Sequence, residues 1–175
     1  ITEIFPRSFN TSGGDTVKIR GSNLCTECSN SGSGSGPGIA GVRVYTCPQS
    51  VTTTNPFPSE ALAKCNRTGQ VTGTPSELQF QLESGTGKNR YVVVVNGNSP
   101  PAAAVPSPST MYSYKEPEIV SITPMNGPTK GGADVSVYGY NFGPSTSQAT
   151  VYWGTGGTGG NTKVVVPRSK HSHRK

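Results

Sequence analysis

Charge and catalytic side chains are scarce in this chain. Of its 175 residues only 14% are Asp, Glu, Lys or Arg, and it holds two histidines, one tryptophan and two methionines. Hydrolysis or group transfer needs acids, bases and nucleophiles that converge. Here nine carboxylates are scattered, His171 and His173 both fall in the final five residues, and neither a nucleophile elbow nor a metal signature occurs. No enzyme activity, no cofactor and no metal is therefore expected. Two glycine-rich stretches, Ser31 to Gly36 and Gly154 to Gly160, lack the Lys-Ser/Thr of a phosphate loop and the strand-to-helix context of a dinucleotide fingerprint, and read as hairpin loops. Long apolar runs are missing too. No stretch approaches the roughly 20 residues that cross a bilayer, so no membrane insertion is expected in this segment. No signal-like region precedes Ile1, and the absent initiator Met suggests a processed or partial chain. Helix signals are equally thin, the best being Pro58 to Lys64, long enough for about two turns.

What the chain has instead is glycine, 23 residues, and proline, 15, the composition of many short strands joined by turns. It also has an internal repeat. ITEIFPRSFNTSGGDTVKIRGSNL, residues 1 to 24, lies without a gap over IVSITPMNGPTKGGADVSVYGYNF, residues 119 to 142. Ile1, Ile4, Pro6, Gly13, Gly14, Val17, Gly21 and Asn23 fall on Ile119, Ile122, Pro124, Gly131, Gly132, Val135, Gly139 and Asn141. A spacing this long does not suit a solenoid and does suit two successive domains. Within each copy, isoleucines lead to a proline that ends the first strand, because it has no amide hydrogen for a ladder. Paired glycines then make a turn. Val17 and Ile19 alternate with Thr16, Lys18 and Arg20, and Val135 and Val137 with Asp134, Ser136 and Tyr138, the period of a strand with one wet face.

Isoleucine, proline, a Gly-Gly turn, an alternating strand, then Gly-Ser-Asn-Leu or Gly-Tyr-Asn-Phe: this order resembles the opening of an IPT/TIG domain. Leu78 to Leu82, Gly85-Thr86-Gly87, Tyr91 to Gly97 and Met111-Tyr112-Ser113-Tyr114 resemble the later strands and closing Tyr-x-Tyr of its extracellular, multi-repeat members. The resemblance implies an all-β chain of two tandem immunoglobulin-like (IPT/TIG) β-sandwich domains, 1–116 and 117–175, the second incomplete.

Cys25, Cys28, Cys47 and Cys65 all lie in the first domain. Cys25-x-x-Cys28 has zinc-knuckle spacing, but Cys47 and Cys65 are no second close pair, so structural disulfides are the expected reading. No helix amino terminus is there to lower a thiol pKa, which argues against a redox-active dithiol. The resemblance implies Cys47 with Cys65, leaving Cys25 with Cys28. Two sequons, at Asn10 and Asn66, agree with a secreted glycoprotein. The stretch NSPPAAAVPSPST favours an extended polyproline conformation. It offers Ser99, Pro101, Pro106, Ser107, Pro108, Ser109 and Thr110 for O-linked sugar, or serves as a plain loop between the last two strands.

The net charge of +6 is not spread along the chain. Up to residue 162 ten basic residues face nine acidic ones, and the excess sits in a tail ending RSKHSHRK, which could bind nucleic acid, an acidic polysaccharide or an acidic patch. The second copy is short. A sandwich of this class takes on the order of 100 residues and seven strands, whereas residues 117 to 175 provide 59 and about four strands. Val135, Val137, Val151, Trp153 and Val165 are thereby left without a facing sheet, and open strand edges invite pairing. Missing strands, a partial reading of a longer array, or strands donated by a neighbour would each account for this. Three functions are compatible with such a chain. The expected one is an extracellular structural glycoprotein forming a homo-oligomer or filament of like chains, with covalent glycans and no nucleic acid. A receptor ectodomain stalk is the alternative. A DNA-binding Rel-like module would need reduced cysteines and a basic patch, and Arg7, Lys18, Arg20 and Arg43 are interspersed with acids. The same domain class also occurs as an accessory module of starch-acting enzymes.

Overall fold

The computed structural model describes residues 1–25, 41–51, 57–97, 102–103, 109–144, 149–154 and 162–166. The chain divides into two compact units, Ile1–Tyr114 and Lys115–Lys175. In the first unit the described strands are β1 (Glu3–Phe5), β2 (Ser8–Phe9), β3 (Thr16–Arg20), β4 (Val42–Cys47), β5 (Asn66–Arg67), β6 (Val71–Gly73), β7 (Glu77–Gln81), β8 (Arg90–Asn96), β9 (Ala102–Ala103) and β10 (Met111–Tyr114). One sheet runs β1-β3-β7-β6, the other β2-β10-β8-β4-β5, with β9 also on β8. The first strand breaks at the cis Phe5–Pro6 bond. Before it β1 pairs antiparallel with β3; after it β2 pairs parallel with β10, so one segment of chain serves both sheets.

Two apolar clusters hold this sandwich. Ile4, Val17, Ile19, Leu78 and Phe80 from one sheet meet Val44, Val92, Val94 and Tyr112 from the other. The alternate residues of β8, Tyr91, Val93 and Val95, point the opposite way and pack with Val51, Phe57 and Cys47. This second layer includes the segment expected to be helical, which is a 3-10 helix at Ser59–Lys64, and it contributes Ala61 and Leu62. The unbroken run Tyr91 to Val95 follows from this: a strand covered on both faces needs no polar alternation. Each such fully buried side chain contributes on the order of 1.5–3 kcal/mol. Cys47 and Cys65 are joined across β4 and the start of β5, with Cα atoms 4.4 Å apart. Closing 18 residues of chain restricts the unfolded state by about 3 kcal/mol. Cys25 is disulfide-bonded as well, while Cys28 lies outside the described residues.

The repeat is structural down to its register. Ile4 lies opposite Ile19 in the first unit, and Ile122 opposite Val137 in the second, where β11 (Glu118–Thr123) pairs with β12 (Ser136–Tyr140). Thr123–Pro124 is cis like its counterpart. Asn23 and Asn141 both take positive φ, at 55° and 58°. The remaining described strands of this unit, β13 (Ala149–Trp153) and β14 (Thr162–Val166), form a second antiparallel pair.

Two features of the first unit give expected outcomes. Gly13 and Gly14 both have positive φ, but a Cβ on Gly13 would overlap the backbone of Glu83 and Ser84, whereas one on Gly14 meets nothing within 4 Å. Gly14→Ala should therefore lose only the left-handed penalty of about 1 kcal/mol. Gly13→Ala should lose about 3 kcal/mol, because the backbone of the facing turn must move, and urea unfolding of the two variants reads the difference. Tyr114 donates its hydroxyl to the Glu83 carbonyl at 2.7 Å, and burial pushes its pKa above the ordinary 10.0. A raised phenol pKa favours the neutral fold, so that contribution is complete below pH 10 and is lost as pH rises past it. Tyr114→Phe should cost about 1 kcal/mol at neutral pH through the lost hydrogen bond. The gap to wild type should then close in denaturation series run above pH 10, since phenylalanine has no proton to lose.

Candidate functional site

In unit 2 the sequence rebuilds a strand whose burial it does not rebuild. The apolar alternation places Ile122, Val135 and Val137 at the positions of Ile4, Val17 and Ile19. In the first unit those three are fully buried. There β3 has β1 on one side, β7 on the other, and the β4/β8 sheet across the core. Val17 is 0% exposed, while Val135 is 43% exposed. Ile122 and Val137 are half-buried. Among the described residues β12 pairs with β11 alone, and its other side has no partner strand among them.

The uncovered surface continues onto neighbouring elements. Ile119, Val120 and Met125 are exposed, as are Tyr152 and Trp153 at the end of β13. Ile119, Ile122, Pro124, Met125 and Trp153 border an open depression of about 350 Å³. Val151 is half-buried. Of Val165 only its place in β14, opposite Thr150, is described.

The wet face differs between the copies just as sharply. In the first unit the Arg20 guanidinium donates to Glu77 at 3.1 Å and to Glu3 at 3.2 Å, and the Lys18 ammonium lies 3.7 Å from Glu77. The hydrogen bond from Arg20 holds the Glu77 carboxyl below its usual range, and the two carboxylates raise Arg20 in turn, Glu77 most of all. The corresponding residues in unit 2 are Ser121, Ser136 and Tyr138, and Tyr138 and Tyr140 are exposed. One face of β12 is therefore aliphatic and the other carries aromatic rings, with no charge on either. Such a surface gains free energy when it is covered from water, and its tyrosines add an apolar body with a hydrogen-bonding tip.

The remaining candidate positions are dispersed. Asn10 is exposed in the turn after β2, and Asn66 is exposed on β5. Ser99, Pro101, Pro106, Ser107 and Pro108 lie outside the described residues, as do the tail from 167 onward and most of the two glycine-rich loops. Ser109 is exposed, and its carbonyl accepts from the Ile4 N–H at 2.8 Å. Thr110 is buried, which puts its hydroxyl out of reach of a sugar in the folded chain. Lys18 and Arg20 are engaged by carboxylates, and Arg43 donates to the Gly97 carbonyl at 3.3 Å. Among the described residues no group of three metal-ligating side chains comes together, and no helix is long and apolar enough to cross a membrane.

Sequence reasoning missed the exposed Ile119, Val120 and Met125, because it read the isoleucine-proline segment as strand punctuation. Their hydrophobicity next to a strand that lacks a facing layer was the available signal. Comparison with known proteins bears on the whole chain. The family model of the IPT/TIG domain matches residues 1–114 and again residues 117–167. None of the curated proteins matches the chain. Domains of this family are non-catalytic immunoglobulin-like modules of receptor, adhesion or transcription-factor type, and they are common in extracellular proteins. The chain belongs to the IPT/TIG domain family and carries two copies of that domain in tandem.

Proposed function

We propose that this chain is part of an extracellular structural glycoprotein, the repeat unit of a filament, surface appendage or cell-wall layer. Neighbouring chains join through strand edges, the second unit of one chain being covered by strands of the next. The observation that carries this reading is the pair Val17 and Val135, equivalent in the sequence repeat, one fully buried and the other 43% exposed. An aliphatic face beside an open strand edge is a template for another chain. A contact between two different surfaces of like chains propagates into a filament when its rotation does not close a ring.

Secretion is supported by the Cys47–Cys65 bond, which persists in oxidising compartments, and by two exposed sequon asparagines. The Rel-like reading is disfavoured by the same bond and by the engagement of Lys18, Arg20 and Arg43. Full-length chain is expected to grow with concentration in sedimentation velocity and to give fibres in negative stain. Val135→Asp should hold it at the size of a single chain, since assembly would then bury an unpaired carboxylate. The urea transition of the first unit should stay in place, because the two units are separate compact bodies. A wild-type chain that stays monomeric at every concentration would remove the filament reading.

A further inference from the structure

We propose that Asn66 is an N-glycan acceptor whose modification competes with folding: it takes sugar only before β5 pairs with β4 and the Cys47–Cys65 bond closes. This rests on the secreted-glycoprotein reading above. A transferase needs two groups of the triplet Asn66-Arg67-Thr68, the asparagine amide that becomes bonded and the threonine hydroxyl two residues on. The fold leaves the first accessible and removes the second. Asn66 is exposed, but Thr68 is 5% exposed. The Thr68 hydroxyl donates to the Val44 carbonyl at 3.1 Å, and its N–H donates to the same oxygen at 2.9 Å.

The rest of the triplet is fixed as well. Asn66 lies opposite Thr46, and Arg67 opposite Tyr45. The Thr46 hydroxyl, itself buried, donates to the Asn66 carbonyl at 3.4 Å. Freeing the Thr68 hydroxyl therefore means peeling β5 from β4. The residue directly before the triplet is Cys65, tied to Cys47, so the disulfide anchors the very end that would have to lift. The other sequon is held differently. Asn10 sits in a turn with its N–H on the Asp15 carboxylate at 3.1 Å, and Ser12 is only half-buried. It serves as an internal reference.

Two reactions compete for the nascent segment. In one, the Asn66 amide nitrogen bonds to the anomeric carbon of an oligosaccharide carried on a polyprenyl pyrophosphate. The anomeric C–O bond breaks, the pyrophosphate leaves with the electron pair, and the amide proton passes to a base of the transferase. In the other, the Cys47 and Cys65 thiols give two electrons and two protons to a protein disulfide oxidant, which departs as its dithiol.

The test presents full-length, unglycosylated chain to a solubilised oligosaccharyltransferase with a polyprenyl-pyrophosphate oligosaccharide. One arm uses the oxidised, folded chain and the other a reduced, alkylated one, and mass spectrometry reads each site. Asn66 should stay bare in the oxidised chain and be modified in the reduced one. In secretory cells, Cys47→Ser combined with Cys65→Ser should raise Asn66 occupancy severalfold and leave Asn10 unchanged. Equal modification of Asn66 in both arms overturns the competition, as does an Asn66 bare in both while Asn10 is modified, and either result leaves the glycoprotein reading standing. Sugar at neither asparagine in any arm overturns that reading and this inference together.

Discussion

A β-sheet with an apolar face needs a second layer against it, and that requirement governs the whole chain. In the first unit it is met twice on one strand. Val92 and Val94 of β8 close the core between the sheets, while Tyr91, Val93 and Val95 close a second cluster with Val51, Phe57, Ala61 and Leu62. Tyr91 adds a hydrogen bond from its hydroxyl to the Val51 carbonyl at 2.9 Å, which ties Val51 to β8. The disulfide, the 3-10 helix and the buried Phe57 all belong to this outer layer. They depend on β8 being apolar on both sides.

The second unit separates what local sequence dictates from what the layer supplies. The cis proline, the paired positive-φ glycines, the left-handed asparagine and the strand register recur in both copies. None of these needs a facing sheet. Gly139 illustrates the point: a Cβ there would strike the Glu118 carbonyl oxygen and the Phe142 ring, contacts made within the copy itself. Burial of Val135 does need that sheet, and it is the property that fails to recur. Hairpin geometry is thus encoded over about twenty residues, while the core is encoded by strands far away in the chain.

This division also explains what could be read from the letters. The duplication, the strand at Val17 and Ile19 and the tandem sandwich followed from periodicity and a family pattern. The Arg20–Glu77 pair joins residues 57 apart, and no local spacing announces it. Thr68 reads as the polar third member of a sequon, yet its hydroxyl is spent on Val44, 24 residues earlier. The Ser-Pro and Ala-Pro stretch read as loop, and Ala102–Ala103 within it pairs antiparallel with β8, opposite Val94 and Val93. Each miss is a tertiary partner overriding a local preference.

Edge chemistry sharpens the contrast between the units. Charged side chains on an outer strand discourage a stray chain from adding to the sheet, because pairing would strip water from them. On β1 Glu3 has that role, tied to Arg20 on β3. Duplication kept the strand and changed the guard: Ser121 replaces Glu3, and Tyr138 replaces Arg20. Serine sheds little hydration free energy on being covered, and a tyrosine ring gains from being covered. The second copy therefore carries no charge at the positions that Glu3 and Arg20 hold in the first. These substitutions lie on the wet face of the strand, where packing of its own core places no demand.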